Sequence, residues 1–366
     1  MTKTKTDKKK PSPKRIKHIF MYIISALIGA VYVFLLVLAK PDLSETELYV
    51  ALALLFVCLY LHIIIHEFGH YIFGRFSGYT FTSFRVGSLL LMKENGQLVR
   101  KKYSLPGTMG QCLMRPPKFD NGNFPIMLYN FGGGIFNLII AAVAFLFYIK
   151  TDFADIFFYA MIFIGVLLTL SNLIPLNLKI PNDGYNALHL NGNKAAKLGF
   201  WLSLETNAVL SEGKKLQEMP EELFETPSDA DMNNHYVATI PYLKISRLLE
   251  QENLDGALKL FNEIKKENGF LDIYSKEIEA EFLGFDIMNG KINHKSEVKE
   301  ELIKYLKSSV FLLNHLRILY SFFKLIENDK KNAEIYRQKY YKLAPKFPYK
   351  SIIEAENKFM QLIENK

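Results

Sequence analysis

Residues 48–70 read LYVALALLFVCLYLHIIIHEFGH, a long apolar run that ends in His66-Glu67-Phe68-Gly69-His70. At 1.5 Å per residue the run is long enough to cross a bilayer as a helix, and it places the HExxH sequence about 27 Å from Leu48, towards one end of the span. Residues four apart on a helix share a face and are separated by about 6 Å, so His66 and His70 can turn both imidazoles on one metal ion. Two neutral imidazoles at that spacing suit zinc. Glu67 leaves the same turn beside the two ligands, where a carboxylate can act as a general base towards water. Ionisable side chains within a membrane span are costly and mark function.

The rest of the sequence divides sharply. Of 366 residues 49% are hydrophobic, and residues 18–180 hold most of them, whereas the remainder has the mixed charge of a water-soluble domain. The net charge of +8 does not point to nucleic acid, because eight Lys or Arg lie in residues 1–17, directly before a membrane-length segment. That is where topology-setting positive charge belongs, so residues 1–17 are expected to be a disordered basic tail on the cytoplasmic side. Two cysteines, Cys58 and Cys112, cannot form a disulfide framework and are expected to be free thiols.

Four spans are predicted, at about 19–39, 48–74, 124–148 and 156–178. The first is read as an uncleaved helix in preference to a signal peptide, being longer than a signal core and lacking a small-residue cleavage site. Between the second and third spans, the loop carries Arg75, Arg85, Lys93, Arg100, Lys101, Lys102, Arg115 and Lys118 against Glu94 and Asp120, consistent with a cytoplasmic position. Within it, Gly87–Lys93 and Gln97–Tyr103 flank Glu94-Asn95-Gly96, a type I′ turn signal that predicts a small cytoplasmic β-hairpin beside the motif. An extended edge there can hold a substrate backbone by strand addition.

The third span contains Gly132-Gly133-Gly134 and Asn137, a pattern of close helix packing with one polar group that needs a partner. The fourth breaks at Asn172-Leu173-Ile174-Pro175 and continues to Pro181-Asn182-Asp183-Gly184. Irregular backbone at this depth is tolerated only inside protein or beside a water-filled cavity. Asp183 emerges from the break at the level expected for His66 and His70 and is the candidate third ligand. His62 and Cys58 lie on the same helical stripe. Cys58 is too far up to ligate and reads as a small buried hydrophobe, while His62 is more simply structural than a supporting group. His189 is isolated and reads as structural or solvent-facing.

With HEFGH at 66–70, Gly133-x-x-x-Asn137 in the next span and the Asn-x-x-Pro and Asp183-Gly184 pattern in the last, residues 45–190 resemble the site-2 protease family of intramembrane zinc metalloproteases. The resemblance implies zinc held by His66, His70 and Asp183, water activated by Glu67, and Asn137 helping to stabilise the oxyanion or position substrate. Pro181-Asn182-Asp183-Gly184 departs from the commoner Asn-Pro-Asp-Gly form, and no segment between the spans has room for the PDZ domain of some members.

Residues 193–235 read as a helix and linker, broken by Pro220 and Pro227. From 236 to 366 the pattern is helical and repetitive: Glu252-Asn253 leads to Ala257 and Phe261 as Glu327-Asn328 leads to Ala333 and Tyr336, with Pro345 closing the last unit. This resembles degenerate tetratricopeptide repeats, which stack helix pairs around a concave binding face.

The expectation is therefore a mainly α protein: a polytopic membrane helical bundle of four transmembrane helices with a small β-hairpin (residues 18–192), plus a soluble α-helical repeat-like domain. Its partners are expected to be the lipid bilayer, a transmembrane or membrane-anchored protein or peptide substrate, and a cytosolic protein on the repeat domain, with no nucleic acid. The expected activity is hydrolysis of transmembrane segments or signal-peptide remnants, in regulated proteolysis or peptide maturation, at a bacterial cell membrane with both termini cytoplasmic. The competing reading is a non-catalytic membrane binding protein with a relic zinc site, against which the retention of Glu67 argues.

Overall fold

A computed structural model describes residues 13–120, 122–151, 154–177, 180–227, 230–266 and 272–366. The long apolar runs all become helices: α1 (Pro13–Ala39), α2 (Glu45–Phe76), α3 (Met127–Tyr148) and α4 (Asp155–Leu173). All four are long and apolar enough to cross a membrane. The helical start at Pro13 corrects the expected tail, since residues 13–17 are helical; Pro at the first helical position has its φ already set. Residues 1–12 of that tail lie outside the described residues. The break expected at Asn172 to Pro175 ends α4 at Leu173, five residues before the predicted end of the span.

The chain divides into two compact units, 1–62 with 138–168, and 63–137 with 169–366. In the first, the helices turn large side chains such as Phe34, Leu38, Phe56 and Leu146 outward, as lipid-facing surfaces do. Inside, Tyr32 is fully buried and its hydroxyl donates to the Ala51 carbonyl at 3.3 Å. At one end, Lys40 joins Glu47 and Asp155, at 2.9 and 2.7 Å, tying three helix ends together.

The second unit contains an antiparallel sheet of β1 (Thr80–Val86), β2 (Leu89–Glu94), β3 (Gln97–Lys102) and β4 (Gly110–Arg115), in the order β3-β2-β1-β4. The predicted hairpin is β2–β3, with Glu94 opposite Gln97 and left-handed Asn95 and Gly96 at φ 47° and 83°, as a type I′ turn demands. It is half of a larger sheet. β1, Thr-Phe-Thr-Ser-Phe-Arg-Val, has the β-branched and aromatic content of a strand, whereas β4 is weak in propensity and is held by pairing with β1.

After α5 (Asp183–His189) and α6 (Lys194–Ser211), the helices α7 (His235–Glu250), α8 (Leu254–Lys266), α9 (Asp272–Met288), α10 (Glu300–Ser308), α11 (Leu313–Ser321), α12 (Lys330–Leu343) and α13 (Lys350–Glu364) follow. Ala257 and Ala333 are buried where the repeat pattern expects tight crossings. Packing continues across residues 192 and 235. One apolar core joins Cys112 and Met114 of β4, Tyr129 of α3, Phe200 and Trp201 of α6, and Tyr236 and Ile240 of α7. The β2–β3 hairpin also reaches the last helices: Lys101 Nζ donates to the Pro348 carbonyl at 2.8 Å, and the rings of Tyr103 and Phe347 meet edge to face.

Candidate metal centre

All the residues of the site belong to the second unit. The helical pitch of α2 carries His66 and His70 to the same face, with their Nε2 atoms 3.1 Å apart. Asp183 comes from 113 residues further along the chain, and its Oδ2 lies 3.2 Å from His66 Nε2 and 3.3 Å from His70 Nε2. These three side chains form a group that could hold a metal ion. His66 and His70 are largely enclosed, while the Asp183 side chain keeps 25% of its surface exposed, so the group is reached from that side.

Each ligand is held by a device of its own. The Tyr129 carbonyl lies 2.7 Å from His70 Nδ1 and accepts a hydrogen bond from its N–H, which leaves the lone pair of the neutral ring on Nε2. Asn137 is fully buried, with its side-chain nitrogen 3.3 Å from His66 Nδ1. Asp183 is the first residue of α5, and Asn182 before it knots the broken segment together. The Asn182 oxygen accepts from the amides of Tyr185 and Leu176, at 3.0 and 2.9 Å, and its nitrogen donates to the carbonyls of Ile174 and Ser171, at 2.7 and 3.0 Å. Gly184 completes the turn, because any side chain there would strike the Leu173 carbonyl.

The three consecutive glycines of α3 do three different things. Gly132 meets Gly69 of α2 backbone to backbone, Gly134 meets Leu173 of α4, and Gly133 between them faces the His66 ring. Helix packing, the plain expectation for this cluster, accounts for two of the three. The middle one makes room for the His66 ring.

Glu67 is 8% exposed and its carboxylate packs against Gly110 at the start of β4, where a methyl group would overlap Oε1. Thus the strand beside the motif is β4, not the β2–β3 hairpin anticipated from Asn95-Gly96. Arg85 of β1 is 1% exposed; Nη1 donates to the Gly87 carbonyl at 2.9 Å and Nη2 to Thr108 Oγ1. Burial lowers the Arg85 pKa, and the Glu67 carboxylate works in the opposite sense. Burial likewise pushes the Cys112 thiol up, with Glu67 adding to the shift. Gly110 and Arg85 were not visible as neighbours of Glu67 in local pattern, because they reach it only through the pairing of β1 with β4. Asn182 was visible as a turn residue, but its four hydrogen bonds were not.

The other candidates lie elsewhere. His62 is buried in the first unit with Nε2 2.9 Å from the Met161 carbonyl, and Cys58 is buried with Sγ 4.0 Å from the Phe157 carbonyl. His189 stacks on Tyr185 at the end of α5, with ring centroids 4.3 Å apart. Both cysteines are free thiols, and Cys112 is buried in β4.

Comparison of the chain with models of known protein families, with curated proteins and with solved structures gave no significant match.

Proposed function

We propose that the protein is an intramembrane zinc metalloprotease that hydrolyses peptide bonds in membrane-anchored substrates. The observation that carries this reading is the triangle of His66 Nε2, His70 Nε2 and Asp183 Oδ2, with edges of 3.1, 3.2 and 3.3 Å. Ligands about 2.0–2.1 Å from a tetrahedral zinc are separated by about 3.3 Å, so the donor set fits zinc in both spacing and chemistry. Three protein ligands, with the fourth position left open, are the donor set of a catalytic site.

When bound, zinc supplies a Lewis acid that acidifies water and polarises a carbonyl. Glu67 accepts the proton of the attacking water at its carboxylate and delivers it to the leaving amine. Tyr129, through its carbonyl, fixes the tautomer of His70. The Asn137 side chain, whose nitrogen faces His66 Nδ1, does the same for His66 once its amide is turned over to present the oxygen, which makes Asn137 a positioning residue for that ring. Because the backbone of a helix is shielded, the substrate must present an extended segment, and the β4 edge next to Glu67 can pair with one.

The exposed apolar surface of α1 to α4 supports an integral membrane protein, and the basic residues of the sheet region support a cytoplasmic face for the site. The stacked helices from α7 onward support a repeat-like binding domain. The test compares detergent-purified wild type with Glu67→Gln for zinc per chain and for cleavage of transmembrane peptides. Zinc in both and cleavage by wild type alone is the expected result, and chelation should abolish cleavage until zinc is restored. Absence of zinc from both proteins would overturn the reading.

A further inference from the structure

In the second unit, α6, α7, α9 and α13 line a half-open cavity of about 450 Å³. This is within the ordinary size of ligand sites. Its walls are apolar, with Leu243, Ile278, Phe285 and Phe359, but its charge is one-sided: six glutamates and two lysines line it. Three of the glutamates already have basic partners. Glu281 and Glu356 share the fully buried Arg317, at 2.7 and 2.6 Å, and Glu277 meets His315 at 2.8 Å. With Arg317 included, glutamates still outnumber basic residues around the cavity six to three.

A second observation is independent of the charge. Thr206 of α6 and Ser351 of α13 line the cavity at 7% and 5% exposure, and neither hydroxyl has a hydrogen-bond partner among the described residues. Buried hydroxyls without partners are costly, and two in one cavity call for a polar occupant. A lysine or arginine fits such a space, with its apolar stem along the walls and its charged head towards the glutamates.

We propose that this cavity binds the Lys- or Arg-bearing cytosolic flank of the membrane-anchored substrate. The proposal rests on the protease reading above. Segments on the cytosolic side of membrane spans are enriched in Lys and Arg, so substrates of such an enzyme bring this chemistry with them. The cavity is also tied to the site: next to Thr206, Glu205 accepts from Arg115 Nε at 3.0 Å, and Arg115 ends the strand whose other end, Gly110, touches Glu67.

The test uses the full chain carrying Glu67→Gln, in detergent, so that binding is read without cleavage. The probes are a fluorescein-labelled octapeptide of alternating leucine and lysine and its leucine–glutamate counterpart, followed by anisotropy. The lysine peptide should bind at least tenfold tighter. Thr206→Val and Ser351→Ala, which remove the orphan hydroxyls without leaving a new one, should each weaken it about fivefold, the worth of one hydrogen bond. Reversal of the rim charges by Glu252→Lys with Glu354→Lys should weaken it further. Equal binding of the two peptides, or unchanged binding by the Thr206 and Ser351 variants, would overturn the proposal. So would a tenfold gain in affinity on removing residues 1–12, which would make this chain's own basic segment the occupant. Wild type that cleaves while Glu67→Gln binds no lysine peptide sinks this proposal alone. A chain that binds the lysine peptide but never cleaves sinks the protease reading and leaves the cavity's ligand chemistry standing.

Discussion

The imidazole of His66 lies directly against Gly133: a methyl group on that glycine would come within 2.5 to 2.7 Å of ring atoms Cε1, Nε2 and Nδ1. The contact is with the ring itself, one residue away from the backbone crossing of Gly132 and Gly69. A side chain at 133 therefore pushes the ligand before it separates the helices. Gly133→Ala should weaken zinc binding by at least about tenfold, in the range seen when groups orienting a ligand are altered. A competition titration with a chromophoric chelator measures it, and wild-type affinity in the variant would refute the role given to Gly133.

Gly110 and Glu67 make the complementary pair. A methyl group at 110 displaces the Glu67 carboxylate but leaves both imidazoles and Asp183 alone. Gly110→Ala should keep one zinc per chain and lower kcat by at least about 100-fold, the contribution of a positioned general base. Loss of zinc together with activity would mean that β4 supports the ligands, and not the base.

Much of this candidate site was legible because its side chains obey local rules. Helical pitch alone brings His66 and His70 together, and Asn95-Gly96 announces its hairpin. Asp183 could be placed because a broken span in lipid needs a reason. What stayed hidden depends on tertiary pairing: β4 has little strand propensity of its own, so neither the full sheet nor the position of Gly110 was written in local pattern. The packing across residue 192 stayed hidden for a related reason. The composition shift near residue 192 is real, yet Phe200, Trp201 and Tyr236 bury themselves against β4 and α3, and periodicity says which face of a helix is apolar without saying what covers it.

Asn182 gives a third prediction. It holds four backbone groups across the break that delivers Asp183. Asn182→Ala removes all four bonds and leaves Asp183 in sequence but unanchored. Zinc affinity should fall by roughly 10- to 100-fold, as for other supporting residues, while Asn182→Asp, which keeps the cap oxygen and loses the two donated bonds, should lie between. Wild-type affinity in Asn182→Ala would show that Asp183 is held by its other contacts.

Burial alone would raise the Glu277 carboxyl, but hydrogen bonds from His315, Tyr305 and Asn314 and the charge of His315 outweigh it and hold the pKa below its ordinary value. A carboxylate depressed in the folded state adds stability above its unfolded pKa, about 4.3, and loses it as pH falls through the folded value. The stability gap between wild type and Glu277→Gln should therefore be full at pH 7 and shrink below about pH 4. Hydrogen exchange of α9 and α11 reads it locally, and a gap that widens in acid would reverse the assigned sign.

Arg317 is the most exacting residue of the C-terminal helices. It is fully buried, donates from Nε to Glu356 and from Nη2 to Glu281, and its guanidinium lies 5.0 Å from the centre of the Phe359 ring. Burial raises the pKa of Glu356 even with this partner beside it, so its charge depends on Arg317. Arg317→Ala strands the buried carboxylate of Glu356 and the partly buried one of Glu281, and should cost about 3–5 kcal/mol. Arg317→Met combined with Glu281→Gln and Glu356→Gln removes the charges together, and should recover most of that loss, since the desolvation cost disappears with the ions. Denaturant unfolding of the three proteins, followed by Trp201 fluorescence and by hydrogen exchange in α11, measures the order. If the triple variant is no more stable than Arg317→Ala, the arginine matters through its contact with Phe359 and not through its charge.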